Sequence, residues 1–229
     1  MAVIRVRLTM TKIISVIQLK GGAGKSTVAT NLAAMLAEEG KTLLLDADSP
    51  QYTSESWYVL REEHEFTDNL DLITCSDENA IASALRAAAD MQSVPDYIVV
   101  DGPARMERVT RYMMAISDLT IIPVGTAKAD LWSTYDIEEI VKAEQAERPD
   151  LDVRLMLNKF RDVTKSAHEV LQEAKKEISI PLMKTKLGYR VAYSDALGEG
   201  LCVDELRDAR AVEEIKALTK ETLNILRRK

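Results

Sequence analysis

Apolar residues in this chain gather in short dense runs, separated by stretches whose apolar positions recur at helical spacing. Six runs are predicted strands: Ile13–Leu19 (IISVIQL), Thr42–Asp46 (TLLLD), Leu70–Thr74 (LDLIT), Tyr97–Asp101 (YIVVD), Leu119–Val124 (LTIIPV) and Val153–Leu157 (VRLML). A further short strand is expected near Pro181–Met183. Helices are expected over Thr27–Glu39, ended by Gly40, and over Glu78–Asp90, Arg105–Ala115, Leu131–Ala146, Ser166–Glu177 and Ala209–Arg227. Strands apolar along their whole length are buried on both faces. They therefore imply a mostly parallel sheet with helices on each side, an α/β fold. Ligands of such sheets sit at the carboxyl ends of the strands, where Asp46 and Asp101 fall.

No Pro/Gly/Ser-rich linker interrupts the pattern, so residues 10–229 read as one domain. Met10-Thr11-Lys12 reads as a natural start. Residues 1–9 alternate apolar and basic, and fit an upstream start, an added strand or a loose tail. With 229 residues and 46% apolar content there is ample material for a single core. No run has the length of a transmembrane helix and no signal peptide is visible; the two isolated cysteines point to a reducing cytoplasm. Cys75 and Cys202 are isolated, which argues against a disulfide framework or a thiolate metal site. His64 and His168 stand in charged surroundings and are expected at the surface.

The chemistry is concentrated in Lys20–Thr27, KGGAGKST. Gly24, Lys25 and Ser26 close a phosphate loop of the form GxxxxGK[ST], but Leu19 stands where the first glycine belongs. A second lysine, Lys20, and the pair Gly21-Gly22 follow it, making an altered Walker A loop with two lysines. Glycines bring backbone N–H groups close to phosphate oxygens, and the following helix adds its positive end. Gly21, Gly22, Ala23, Gly24, Lys25, Ser26 and Thr27 are thus the expected cradle of a nucleotide. Lys25 supplies a point charge to the β- and γ-phosphates, and Ser26 offers its hydroxyl to Mg²⁺. Strand Tyr97–Asp101 is a Walker B strand, whose Asp101 can hold Mg²⁺ through its water shell. Gly102-Pro103-Ala104 then forms a loop that senses the γ-phosphate. Asp46 and Asp48, two residues apart after a strand, can face the metal and the attacking water; the same segment also reads as a turn.

KGGAGKST, the segment Asp46–Gln51 (DADSPQ) and VVDGPA together resemble the ParA/MinD family of P-loop ATPases. The closest likeness is to short ParA proteins without an N-terminal DNA-reading domain. It runs over nearly the whole chain from Met10, through IIPV at Ile121–Val124, LNK at Leu157–Lys159 and YRVAYSDALGEG at Tyr189–Gly200. The resemblance implies a bacterial or archaeal, cytoplasmic and nucleoid-associated ATPase, weak alone, that uses ATP and Mg²⁺. It implies a homodimer in the ATP state, non-specific DNA binding, and stimulation by a cargo-linked ParB-like or adaptor protein. The cargo would be a plasmid, a chromosome or a protein organelle such as a carboxysome. By residue, Lys20 resembles the signature lysine that reaches the partner's ATP across the dimer interface. Asp48 matches the aspartate linked to water activation, with Asp46 its neighbour. Asn158 matches the asparagine that reads the adenine edge, with Lys159 beside it, and Lys184–Arg190 would close over the base. NKF lacks the NKxD pattern that selects guanine, which favours ATP. Two departures stand out: Ser49 is inserted before Pro50, and Gly102 replaces a residue such as threonine and is expected to loosen the sensor loop.

Charge bears on partners. The net charge is −7, yet Arg154–Arg190 holds nine basic residues against four acidic ones, +5, leaving −12 for the rest. Such a stripe is a candidate phosphate-backbone footprint, with Lys184, Lys186 and Arg190 the named contacts; a solvated helical face is the plain alternative. The last helix, AVEEIKALTKETLNILRRK, is amphipathic, and a membrane-switching regulator of the MinD type is the competing function. Its apolar residues Val212, Ile215, Leu218, Leu223 and Leu226 are expected on the sheet, and Glu213, Glu214 and Glu221 would repel anionic lipid. An electron carrier like nitrogenase iron protein would need cysteines paired across a dimer, a setting that Cys75 and Cys202 do not show.

Overall fold

A computed structural model describes residues 10–161, 168, 169, 172 and 176–228. The elements alternate as expected: β1 (Lys12–Val16), α1 (Lys25–Ala37), β2 (Thr42–Asp46), α2 (Thr53–Glu63), β3 (Leu70–Thr74), α3 (Glu78–Ala89), β4 (Tyr97–Asp101) and α4 (Glu107–Ile116). There follow β5 (Leu119–Val124), α5 (Lys128–Glu147), β6 (Val153–Phe160), β7 (Leu182–Gly188), α6 (Val191–Glu199) and α7 (Ala209–Leu226), with a 3₁₀ turn at Val203–Glu205 before the last helix. The helix expected over Ser166–Glu177 and the extension at residues 1–9 lie largely or wholly outside the described residues.

The sheet has seven strands in the order β3-β2-β4-β1-β5-β6-β7, all paired in parallel. Side chains alternate between two buried faces, which is why every run is apolar throughout. Ile14, Val16, Leu44 and Val99 join α1, α6 and α7 on one side. Ile13, Ile17, Leu43, Leu45, Ile98 and Val100 join α3, α4 and α5 on the other. Helix α1 lies under the middle of the sheet and is buried nearly all round.

Several boundaries differ from expectation. Strand β1 stops at Val16, because buried Gln18 turns the chain: its side chain accepts from Leu19 N at 2.8 Å and donates to Pro123 O at 3.3 Å. Strand β6 continues to Phe160, and β7 runs from Leu182 to Gly188. Helices α2 and α6 were not anticipated. Both are short, and α2 is tied to the segment that follows α6: Trp57 Nε1 donates to Leu201 O at 2.9 Å, and the Arg61 guanidinium reaches Glu205 in the 3₁₀ turn at 2.7 Å.

Strand β7 ends the sheet, and its outward amides are capped by α7. Glu221 accepts from Lys184 N and Thr185 N, both at 2.8 Å, and Glu214 accepts from Gly188 N at 2.9 Å. An unpaired strand edge is a template for foreign strands, and these carboxylates close it. Glu214 and Glu221 are therefore structural acceptors rather than a free polar face turned to solvent. Ile215, Leu218, Leu223 and Leu226 are buried as expected, and Val212 is half-buried. No described helix is long and apolar enough to cross a membrane. Both cysteines are buried and unlinked, and burial, with Asp46 nearby, pushes the Cys75 thiol up to about 12.

Candidate nucleotide-binding site

Strand β1 passes into the glycine loop, and the loop into α1, at the carboxyl edge of the sheet. Gly22 has φ +76 and Gly24 φ +90, backbone that a side chain rarely adopts. A Cβ on Gly24 would also lie 2.1 Å from Asn158 Nδ2. That close approach has a purpose. Asn158 Nδ2 donates to Ala23 O at 2.8 Å, and Lys159 Nζ donates to Gly22 O at 2.8 Å. With its carbonyls tied back, the loop is free to present amides to an anion. The first turn of α1 carries no acidic residue, so its positive end is uncompensated. Lys25 is buried in the cradle, and Ser26 and Thr27 are half-buried at its base.

Asn158 and Lys159 thus buttress the loop. In this structure the Asn158 amide is spent on Ala23, and its Oδ1 accepts from Lys159 N at 2.9 Å. Of the segment expected to close over the base, Lys184–Gly188 is strand, and only Tyr189 lines the opening beside the loop. That opening is a cavity of about 360 Å³, walled by Lys20, Gly21, Gly22, Asp130, Lys159 and Tyr189 among others. Tyr189 is exposed, with the Arg161 guanidinium 4.2 Å from its ring centre.

The acidic residues are not equivalent. Asp101 is fully buried, and its Oδ2 accepts from Ser54 Oγ at 2.8 Å. Its Oδ1 has no partner. Burial, with repulsion from Asp46, pushes this carboxyl up to about 7, against the pull of Ser26, Ser54 and Lys25. A buried carboxylate oxygen without a donor is a place where a metal's water ligand can bond, so the residues present fit Mg²⁺.

Asp46 pairs in register with Asp101, yet both its oxygens are occupied. Oδ1 accepts from Asp48 N at 3.0 Å and Oδ2 from Glu55 N at 2.9 Å. Burial raises its pKa. Through these two bonds Asp46 pins the loop between β2 and α2. Asp48 instead bridges loops, its Oδ1 accepting from Ala104 N at 3.2 Å. The sensor loop is not loosened by Gly102. Gly102 N donates to Val16 O at 2.9 Å, and an added Cβ would lie 2.9 Å from Val16 O and from Met113 Cε. Only glycine lets the backbones approach that closely.

Lys20 stands at the rim, its side chain 38% exposed, with Nζ 2.6 Å from Asp130 Oδ1. Asp130 is held in turn by Ala127 N, which donates to its Oδ2 at 3.0 Å. Neither Asp130 nor Ser54 was found by motif reasoning. The aspartate at the third position of α5 carried the only signal, that of a helix-capping acid.

The basic stripe is thinner than its count. Arg190 Nη2 pairs with Glu214 at 2.6 Å and Arg154 with Asp152 at 2.6 Å, so each carries an acidic partner of its own. Lys186 Nζ lies 4.3 Å from the Phe160 ring centre, and Lys184 is exposed. Lys165 and Lys175 lie outside the described residues.

A family profile, the CobQ/CobB/MinD/ParA nucleotide-binding domain, matches residues 14–203, a span holding the loop, both aspartate strands and Asn158. The chain belongs to that family. Among members of the CobQ/CobB/MinD/ParA family, it is 29% identical over 213 residues to the maintenance of carboxysome distribution protein A of Halothiobacillus neapolitanus, covering 92% of this chain and 95% of that one. It shares its fold with a plasmid partition protein of Borrelia burgdorferi bound to AMPPNP, at a TM-score of 0.73 and 20% identity, over 93% of this chain and 99% of that one. An ATP complex of McdA from Cyanothece superposes with a TM-score of 0.71 at 18% identity, over 93% and 96%.

Proposed function

We propose that this protein is a Mg²⁺-dependent ATPase that dimerises on ATP, holds DNA without reading its sequence, and positions or segregates cargo. One observation carries the reading: of the two loop lysines, Lys25 is buried in the cradle while Lys20 is held outside it, at the rim, by Asp130. A cation parked there serves poorly in its own cradle and is well placed for a second copy.

In this reading the loop amides and Lys25 hold the triphosphate, and Lys20 completes the partner's pocket. Ser26 and the free oxygen of Asp101 hold the metal, the latter through water. Asp48 orients the attacking water and accepts its proton. Bound Mg²⁺ would draw charge from the phosphate oxygens as the γ-phosphoryl group transfers. A cargo-bound partner accelerates hydrolysis, and the subunits part. The carboxysome distribution relative supports a protein organelle as the cargo class. Exposed Lys184 and half-buried Lys186 of β7, with Arg190 just beyond the strand, are the proposed DNA contacts.

The test is light scattering with and without ATP, followed by gel shifts of unrelated duplexes across salt. ATP should double the mass and produce binding that is indifferent to sequence and weakened by salt. ATP-dependent binding to anionic liposomes without DNA binding would replace this reading with a membrane-switching one.

A further inference from the structure

Helix α2 begins directly over the two strand-end aspartates. Tyr52, the residue before it, has φ 43 and offers no side-chain cap. A serine this early in a helix commonly serves its own helix's amides. Ser54 does not. It is 0% exposed, and its hydroxyl reaches away from the helix to Oδ2 of Asp101, 2.8 Å off and 47 residues distant in sequence. The backbone of the same turn sits on the neighbouring carboxylate, with the Glu55 amide donating to Oδ2 of Asp46 at 2.9 Å. One turn of helix thus grips both aspartates, by an amide on one and by a hydroxyl on the other.

The consequence falls on Asp101. A carboxylate can rotate about its last bond, and two oxygens without fixed partners exchange freely. With Oδ2 held by Ser54, Oδ1 is the oxygen left without a donor. We propose that Ser54 is a positioning residue that locks the Asp101 carboxylate so that Oδ1 stays available to a water ligand of the metal. This rests on the reading of Asp101 as the Mg²⁺-side acid. Outer-shell partners that orient metal-site carboxylates affect metal affinity by about 10- to 100-fold when removed.

The test separates the hydroxyl from the space it fills. Ser54→Ala removes both donor and volume; Ser54→Cys keeps the volume and leaves a poor donor. Binding of a fluorescent ATP analogue is titrated in EDTA and across Mg²⁺ concentration, with a thermal melt for each variant. Both variants should bind the metal-free nucleotide as the wild type does and need about 10- to 100-fold more Mg²⁺ for full affinity. An unchanged Mg²⁺ requirement in Ser54→Ala overturns the proposal. So does a shift in Ser54→Ala alone, which would assign the effect to packing, or an equal loss with and without metal. A wild-type protein whose nucleotide affinity ignores Mg²⁺ would overturn the metal reading itself, and the role of Ser54 with it.

Discussion

Lys20 and Asp130, 110 residues apart, are joined by an ion pair of 2.6 Å that holds the second loop lysine against its own subunit. Both side chains are partly exposed, at 38% and 25%. Pairs so placed contribute about 0–1 kcal/mol, so phosphate can displace the carboxylate at little cost. In the proposed dimer, Lys20 must leave Asp130 before it can serve the partner subunit.

Replacing Lys20 by Ala should therefore abolish partner-stimulated hydrolysis, by about 10³–10⁵-fold if it acts as arginine fingers do, and leave nucleotide binding in place. Asp130→Asn keeps an acceptor for Ala127 N but removes the charge. It should lower the ATP concentration at which dimers form, read by light scattering. An unaltered dimerisation curve would show that the pair is no restraint.

Asp48→Ala removes the proposed water-orienting carboxylate and the bond to Ala104 N. Hydrolysis should fall by about 10²–10⁴-fold while the ATP-bound dimer persists. Finding a monomer in the presence of ATP would contradict the assignment of Asp48.

Gly102→Ala probes the tightness of the sensor loop. The new methyl must displace Val16 O, a backbone atom, or Met113. Urea unfolding should show a loss of about 1–3 kcal/mol, the range for overpacking a filled site. A neutral result would mean that the β1–β4 contact yields readily.

Glu221 ties acid stability to the sheet edge. Burial alone would raise its pKa, but the Lys184 and Thr185 donors and the Lys184 charge outweigh it and leave the pKa below its ordinary 4.5. A carboxylate lowered on folding binds fewer protons in the folded state than in the unfolded one. Its stabilisation is full above pH 4.5 and is lost as pH falls through the folded value. The wild type should therefore melt higher than Glu221→Gln at pH 7, with the gap closing below pH 4.5. A gap independent of pH would deny the ionised edge cap.

The sequence by itself determined the sheet, its flanking helices and the nucleotide cradle. These are written in contiguous residues: a strand buried on both faces is apolar without interruption, and KGGAGKST must be continuous because successive amides line one anion. Thr42–Asp46, Leu70–Thr74, Tyr97–Asp101 and Leu119–Val124 fall where their apolar runs lie for the same reason. Tertiary structure alone decided which polar groups meet. Asp46 and Asp48 look interchangeable along the chain, but one is buried under the first turn of α2 and the other reaches Ala104. Arg190 counts as a free charge until Glu214 is found against it, and Glu221 as a solvated acid until β7 arrives beneath it. Lys20 with Asp130 and Ser54 with Asp101 are separated by 110 and 47 residues. No local pattern encodes such pairs, because hydrogen bonds and charges act over a few ångströms of space, and only the folded chain brings those atoms that close.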